Sequence, residues 1–382
     1  MQATNRADCA VSQLQPRHVS TWRIAGAVLG RLGLMAGSLV VGAALLELLV
    51  RLFAPQLTYR YPQGLFTNDP ETHYRLTPGF VGRMDTPEYS TSIRINGAGL
   101  RDSREVGPKP QGMRRILVLG DSFAMGHSVE ERETFDRLVE DGLDARAGRP
   151  AFTVLNSGVP GYSTREELSY LRSRGFALEP DAVVLAFFIG NDIVDNAKVN
   201  RDMKVSDGYL TDGDPPPGLL PISVRSFLAR DSHLYHLLWP LQRRLRGDAD
   251  IRADSLSIYA NPDDDLWAPT AALLAELQRT VAAHGLPLFV VIIPDRVQVD
   301  TTLWKRAAQD RPGVDSLNPN RRLLAIADTL GFLVLDLHPA LMRAATREKL
   351  YFPIDHHWTR AGNRVAADAL TPFLWEHLSK LL

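Results

Sequence analysis

The sequence predicts an α/β fold in which a parallel sheet lies between two layers of helices, with one membrane-spanning helix ahead of it. Short apolar runs that alternate with amphipathic segments predict the strands: 116–120, 152–156, 182–189, 287–293 and 332–337. Runs this apolar are typical of strands that are buried on both faces. A longer apolar segment, residues 32–50, predicts the membrane helix.

The segments between the strands have the periodicity of helices that bury one face. They cover 133–147, 164–176, 270–285 and 320–331, and a last helical pattern continues to about Leu378. Several of these segments reach a glycine at or near their end, as helices often do. Alternating strands and helices imply a parallel sheet covered on both sides, so we assign residues 114–382 to one three-layer α/β domain.

The apolar segment 32–50 contains a single charged side chain, Glu47, near one end. As a helix with a rise of about 1.5 Å per residue, it would span roughly the 30 Å of a bilayer core. Arginines are frequent ahead of this segment: Arg6, Arg17, Arg23 and Arg31. This bias favours a cytoplasmic position for residues 1–31 and an extracytoplasmic position for the rest of the chain. A cleaved signal peptide is the competing interpretation, but the apolar run is long for one and has no clean cleavage site.

Two segments lie outside the strand–helix alternation. Residues 55–113 are rich in Pro, Gly, Tyr and Arg, with strand-like pieces such as Ser90–Ile95. We interpret them as a membrane-proximal extension that packs on the main domain and has no catalytic signature of its own.

Residues from about 193 to 266 form an insertion. Its apolar stretch from Ile222 to Arg246 indicates a helix packed over the core or, alternatively, a lid or a membrane-surface contact.

Charge and composition argue against several classes of function. The chain has 43 Lys and Arg against 44 Asp and Glu and no basic stripe with aromatics, so no nucleic-acid partner is expected. Its one cysteine, Cys9, allows no intrachain disulfide and no cysteine-based zinc site. No cofactor is expected. A metal-dependent phosphoesterase is disfavoured, because it needs several converging His and Asp ligands and the first polar motif supplies one Asp and one Ser.

Three polar motifs follow predicted strands, where the loops of a parallel sheet converge on one edge. Gly120-Asp121-Ser122 follows the first strand, and its serine is either a nucleophile that needs a base or the N-cap of the next helix. Gly161 follows the second strand and can present its N–H to a developing oxyanion, or it belongs to an ordinary turn. Asn191 follows the third strand and could donate a second such hydrogen bond, or it lies in an Asn-Asp turn.

A fourth polar motif, Asp355-His356-His357-Trp358, lies ahead of the last helical pattern. A histidine is the usual general base, and a carboxylate fixes its tautomer. Asp355 and His357 are two positions apart and could meet in a non-helical loop, with His356 as a rival for the base. The alternatives are a capping aspartate and partly buried histidines.

In this order, the four motifs resemble the conserved blocks of the SGNH or GDSL hydrolases, over roughly residues 114–378. The resemblance implies a flavodoxin-like three-layer fold. It implies Ser122 as the nucleophile, His357 as the base and Asp355 as the residue that orients the base. It also implies an oxyanion hole made of the Ser122 N–H, the Gly161 N–H and the Asn191 side chain.

Two positions depart from the family pattern. Ile189 stands where the third block has a glycine, and Ile354 stands where the last block has its aspartate, which leaves the spacing Asp-x-His. This spacing, followed by Trp358, is similar to the SGNH-like domains of polysaccharide O-acetylation proteins, such as those acting on alginate.

The function implied by these resemblances is that of a serine ester hydrolase, an acyl or acetyl esterase acting outside the cytoplasm. An O-acetyltransferase or deacetylase of an envelope polysaccharide is the alternative. An inactive binding or assembly module is a further alternative, supported by Ile189 alone. The expected partners are an acyl ester, with an acetylated glycan as one candidate, and the membrane.

Overall fold

A computed structural model describes residues 21–56, 58, 61–198, 203–212, 222–238, 256–260, 264–309 and 311–381. The chain divides into two compact units, Met1–Pro55 and Gln56–Leu382. The first contains helix α1 (Thr21–Phe53), of which Val28–Phe53 is long and apolar enough to cross a membrane. Only 6% of its most apolar stretch is buried, as expected of a helix whose side chains face lipid.

The second unit begins with two antiparallel hairpins, β1 (Phe66–Asp69) with β2 (His73–Leu76) and β3 (Val81–Asp85) with β4 (Ser90–Arg94). The strands that follow are β5 (Arg114–Gly120), β6 (Phe152–Asn156), β7 (Ala182–Phe188), β8 (Met203–Ser206), β9 (Tyr209–Asp212), β10 (Leu288–Ile293) and β11 (Leu333–Asp336). Helices α2 to α6 are Ser122–Met125, Phe135–Ala147, Thr164–Ser173, Asp192–Ala197 and Ile222–Asp231. Helices α7 to α12 are Asp264–Ala283, Arg296–Val299, Thr301–Ala308, Asn318–Leu330, His338–Ala345 and Arg360–Leu378.

The five predicted strands form one sheet in the order β11-β10-β7-β5-β6, and every neighbouring pair is parallel. Alternate residues of a strand point to opposite faces of a sheet. Leu117 and Leu119 therefore pack with α4, α7 and α10 in one core, whereas Ile116 and Val118 pack with α3, α11 and α12 in the other. The three-layer α/β fold predicted from the sequence is confirmed.

The two N-terminal hairpins share a core with the sheet. Leu65, Tyr74, Met84 and Ile93 are each at most 2% exposed and belong to the same apolar cluster as the β5 and β7 residues on that face. Burial of this extent stabilises a fold by about 1.5–3 kcal/mol for a large apolar side chain. The hairpins are therefore part of the folded unit that carries the sheet.

The insertion predicted between 193 and 266 contains α5, the β8–β9 hairpin and α6 among its described residues. In its apolar stretch, Leu228 and Leu234 are half-buried, whereas Phe227, Leu237 and Leu238 are largely exposed. The apolar face of the described part is thus only partly covered. Trp239 and the arginines 243, 244 and 246 lie outside the described residues.

Candidate active site

Ser122 lies at the carboxyl end of β5, between the loops that follow β6 and β7. The N-cap of α2 is Asp121, whose carboxylate accepts a hydrogen bond from the Phe123 N–H at 2.8 Å. Ser122 is the first residue of the helix rather than its cap. Glycine is needed at the first position of this motif, because a Cβ on Gly120 would lie 2.6 Å from the Ala124 Cβ. The turn therefore leaves the Ser122 hydroxyl available for a contact outside the helix.

A continuous chain of hydrogen bonds joins Ser122, His357 and Asp355. The Ser122 Oγ lies 2.7 Å from His357 Nε2, and His357 Nδ1 lies 2.6 Å from Asp355 Oδ1. Ser122 and His357 are each 8% exposed and Asp355 is 5% exposed, so the chain is largely shielded from bulk water. The structure thus brings together three side chains that the sequence predicts for the site.

The loop around Asp355 explains how an Asp-x-His spacing fits this geometry. The Phe352 N–H donates to the His357 carbonyl at 2.9 Å, and the His356 N–H donates to the Phe352 carbonyl at 3.1 Å. His356 has a φ of 68°, in the left-handed region, and is exposed. The resulting tight turn directs Asp355 and His357 to one another and leaves His356 outside. Of the two histidines, His357 is therefore the one that contacts Ser122.

Asp355 has further polar neighbours. Its Oδ2 accepts a hydrogen bond from the Tyr89 hydroxyl, and His127 Nε2 lies 3.7 Å from the same oxygen. Burial raises the pKa of Asp355, but hydrogen bonds and positive charge from His127 and His357 outweigh it, so the pKa lies well below its usual range. Asp355 is therefore a carboxylate across the physiological pH range, and His357 Nδ1 is the donor in their hydrogen bond.

His127 is a fully buried histidine beside the pair. Its ring centre lies 4.3 Å from that of His357, in an edge-on arrangement. Among the residues that the structure describes, His127, Asp355 and His357 are the one group of possible metal ligands, with ligand atoms within 4.8 Å of one another. His357 contacts Ser122 through one ring nitrogen and Asp355 through the other, so hydrogen bonding accounts for the proximity of His357 and Asp355.

Gly161 and Asn191 lie on the loops on either side of Ser122. The Val159 N–H donates to the Gly120 carbonyl at 3.0 Å, which ties the Gly161 loop to the strand that ends at the serine. Gly161 has a φ of 80°, and a Cβ there would lie 2.8 Å from the Tyr74 hydroxyl. The Asn191 Nδ2 donates to the Asp121 carboxylate at 3.1 Å. The loop that contains Gly161 and the side chain of Asn191 therefore both contact the serine motif.

Ile189 occupies the position where the family pattern has a glycine. Its N–H donates to the Ile293 carbonyl at 3.1 Å, and its side chain is completely buried. The position therefore continues the pairing of β7 with β10 and fills the core, and the chain turns one residue later, at Gly190. This local change leaves Asn191 next to Asp121.

Buried carboxyl groups lie behind the serine motif. Burial raises the pKa of Asp121 to about 7, although hydrogen bonds from the Phe123 N–H and Asn191 oppose the shift. Glu167 and Asp192 are also fully buried, and burial together with the charge of neighbouring carboxylates raises their pKa values well above the usual range. The surroundings of Asp121 therefore disfavour ionisation of its own carboxyl group.

Arg101, from the segment ahead of β5, fixes the loop that follows α2. Its guanidinium is buried and donates to the Met125 carbonyl at 2.7 Å, the Val129 carbonyl at 2.6 Å and the Gly126 carbonyl. Burial lowers its pKa to about 10, so it remains charged at neutral pH. Arg101, Tyr89 and His127 all lie outside the four sequence motifs. No periodicity or spacing identifies them, because their roles depend on contacts between distant segments.

Comparison with known proteins adds a family match for the C-terminal third of the chain. Residues 254–380 match the protein-family model described as SGNH hydrolase-like domain, acetyltransferase AlgX. The matched range includes Asp355 and His357. Ser122, Gly161 and Asn191 precede it. No curated protein matches the chain.

Several solved structures are similar to the chain at low sequence identity. An acetyl xylan esterase, AlAXEase, is 10% identical, with 68% of this chain and 99% of that chain covered and a TM-score of 0.40. A lipase/acylhydrolase from Enterococcus faecalis is 14% identical, with 69% and 95% covered and a TM-score of 0.39. A lipolytic protein of the G-D-S-L family from Desulfitobacterium hafniense DCB-2 is 12% identical, with 68% and 98% covered and a TM-score of 0.37.

The family match and the five-stranded parallel sheet agree with the fold that the four sequence motifs imply. An SGNH hydrolase-like fold with a match to an acetyltransferase domain supports an esterase or acyl-transfer activity. The resemblance to the SGNH hydrolases is therefore confirmed by the family match of residues 254–380 and by the three-layer α/β fold.

Proposed function

We propose that this protein is a serine ester hydrolase in which Ser122 is the nucleophile, His357 the general base and Asp355 the residue that orients the base. The observation that carries the proposal is the pair of contacts at 2.7 Å and 2.6 Å that link the three side chains. A serine hydroxyl is a weak nucleophile until an adjacent base takes its proton. His357 is placed to do so, and the ionised Asp355 stabilises the imidazolium that forms.

The reaction would proceed through an acyl-enzyme. The Ser122 Oγ attacks the ester carbonyl carbon while its proton passes to His357 Nε2. The tetrahedral intermediate then expels the alcohol, which takes the proton from His357, and the acyl group stays on Ser122. A water molecule attacks the acyl-enzyme with His357 again acting as the base, and the carboxylic acid leaves as the Ser122 hydroxyl is restored.

The oxyanion of each tetrahedral intermediate would be bound by the Ser122 N–H, the Gly161 N–H and the Asn191 amide. Asn191 has two amide hydrogens, and its bond to Asp121 uses one of them. The second is then left for the oxyanion. Losing one such donor typically lowers the rate of an enzyme by about 10²–10³-fold.

Transfer of an acetyl group to a sugar hydroxyl is the second candidate function. The match of residues 254–380 to an acetyltransferase domain supports it. The first half-reaction is unchanged, and a glycan hydroxyl replaces water in the second. For both candidates we propose an extracytoplasmic catalytic domain, because Val28–Phe53 is apolar enough to cross a membrane and arginines precede it.

The first test is labelling of the full-length protein in detergent with a fluorophosphonate probe. We expect the wild type to be labelled and Ser122→Ala to lose all labelling. Ser169→Ala is the matched control, because this exposed serine hydroxyl bonds to the Glu71 carbonyl, away from His357. Labelling that survives in Ser122→Ala would rule out Ser122 as the nucleophile.

A second test separates hydrolysis from transfer. The protein receives an acetyl ester donor with and without a polysaccharide acceptor, and the acetyl group is followed into free acetate and into the glycan. Acetate as the sole product in both reactions supports the esterase. Acetylated glycan that forms with wild-type protein but not with Ser122→Ala supports the transferase.

A further inference from the structure

The turn between β3 and β4 contacts both the carboxylate and the backbone N–H of Asp355. The Tyr89 hydroxyl donates to the Asp355 Oδ2, the oxygen that His357 does not use. The Glu88 carboxylate accepts from the Asp355 N–H at 2.7 Å and from the Ile354 N–H at 3.0 Å. Two consecutive residues of the N-terminal extension thus hold Asp355, Tyr89 through its carboxylate and Glu88 through its backbone N–H.

The turn itself is fixed by hydrogen bonds and packing. The Thr86 hydroxyl accepts from the Tyr89 N–H and donates to the Tyr89 carbonyl, both at 3.1 Å. The Tyr89 ring lies against Phe352, with ring centres 5.0 Å apart. Because β3 and β4 belong to the buried core through Met84 and Ile93, the turn is anchored at both ends. Tyr89 therefore presents its hydroxyl to Asp355 from a rigid support.

We propose that Tyr89 is a positioning residue that acts through Asp355 on His357, so that the extension supplies a fourth member of the hydrogen-bonded chain. The inference rests on the proposed function of that chain. His127 Nε2 is a second neighbour of Asp355 Oδ2, at the longer distance of 3.7 Å. The Tyr89 hydroxyl holds Oδ2 in place, and this keeps Oδ1 directed at His357 Nδ1. Without the hydroxyl, Oδ2 depends on the longer contact with His127, so the carboxylate can turn away from His357 and leave the His357 tautomer less well fixed.

The test uses Tyr89→Phe in the full-length protein, because phenylalanine keeps the ring against Phe352 and removes one oxygen. Tyr259→Phe is the matched control, since Tyr259 is also buried but packs against Trp304 rather than Phe352. Hydrolysis of a simple acetyl ester is measured from pH 5 to 9, together with the melting temperature of each variant.

We expect kcat of Tyr89→Phe to fall about tenfold, which corresponds to the loss of one hydrogen bond to a charged group. KM should stay within about twofold of the wild-type value. The acidic limb of the kcat/KM profile should move about half a unit to lower pH, because a carboxylate that has turned away from His357 stabilises the imidazolium less. Tyr259→Phe should leave both unchanged. Equal profiles for wild type and Tyr89→Phe would overturn the inference.

A double-mutant cycle with Asp355→Asn separates positioning from a general effect on the fold. If Tyr89 acts through Asp355, Tyr89→Phe should change the fluorophosphonate labelling rate by less than about twofold in the Asp355→Asn background. A further tenfold loss there would show that Tyr89 acts independently of Asp355 and would overturn the inference. Failure of the proposed function is recognised separately, because wild-type protein would then give neither labelling nor ester turnover that depends on Ser122.

Discussion

Replacing Arg101 tests whether the N-terminal extension and the serine loop form one cooperative structure. The guanidinium is the donor to the Met125, Gly126 and Val129 carbonyls, and it is buried. Arg101→Met keeps much of the apolar stem and leaves three carbonyls without this donor. Each unsatisfied buried acceptor costs about 1–3 kcal/mol. Removing a buried charge recovers part of the loss, so we expect the free energy of unfolding to fall by roughly 3 kcal/mol.

The assay is thermal unfolding of the full-length protein in detergent, combined with the rate of fluorophosphonate labelling. A loss of about 3 kcal/mol lowers the melting temperature of a domain of this size by about 6 °C. The labelling rate should fall as well, because the loop fixed by Arg101 carries His127 and follows Ser122 directly.

Arg321→Met is the matched control for the loss of a guanidinium. Arg321 pairs with Asp315 at 2.6 Å, but both side chains are more than half exposed, at 56% and 52%. Such pairs contribute about 0–1 kcal/mol, so the melting temperature should change by no more than about 2 °C. Equal melting temperatures for the two variants would refute the reasoning about Arg101.

Two further predictions concern buried titratable groups. Burial raises the pKa of Asp136 from 3.8 in the unfolded chain to about 7 in the folded protein. As the pH rises from about 4 to about 7, the unfolded chain has lost this proton while the folded protein still holds it. The free energy of unfolding therefore falls by about 1.4 kcal/mol per pH unit over this range. In denaturant unfolding at pH 4.5 and 6.5, the free energy of unfolding should decline less between the two pH values for Asp136→Asn than for the wild type. An equal decline in both proteins would contradict the raised pKa of Asp136. His127→Phe keeps a ring against His357 but removes the nitrogen 3.7 Å from Asp355, so kcat/KM of ester hydrolysis should fall about fivefold. A variant as active as the wild type would show that His127 is not needed to hold Asp355.

The sequence alone was sufficient to predict the fold and the edge of the sheet at which the polar motifs lie. The apolar runs that become β5, β6, β7 and β10 are almost entirely buried, and burial on both faces leaves a pattern in the order of residues. The run that becomes β11 was predicted to be buried in the same way, but β11 is an edge strand and is only partly buried. The loops after parallel strands converge on one edge, so the topology also predicts that Ser122, Gly161 and Asn191 are neighbours. Asp355 and His357 lie in a segment that does not directly follow a predicted strand, and the family resemblance assigned their roles in the site.

The tertiary structure alone decided the alternatives that local sequence left open. Asp121 rather than Ser122 caps α2, and His357 rather than His356 contacts the serine, because the turn at His356 places it outside. It also brought Tyr89 to Asp355 across a separation of 266 positions in the chain. Periodicity records which face of a segment is buried, but not which distant side chain it meets there. That choice is made by packing, and for this reason an extension without a catalytic motif lies against the predicted catalytic carboxylate.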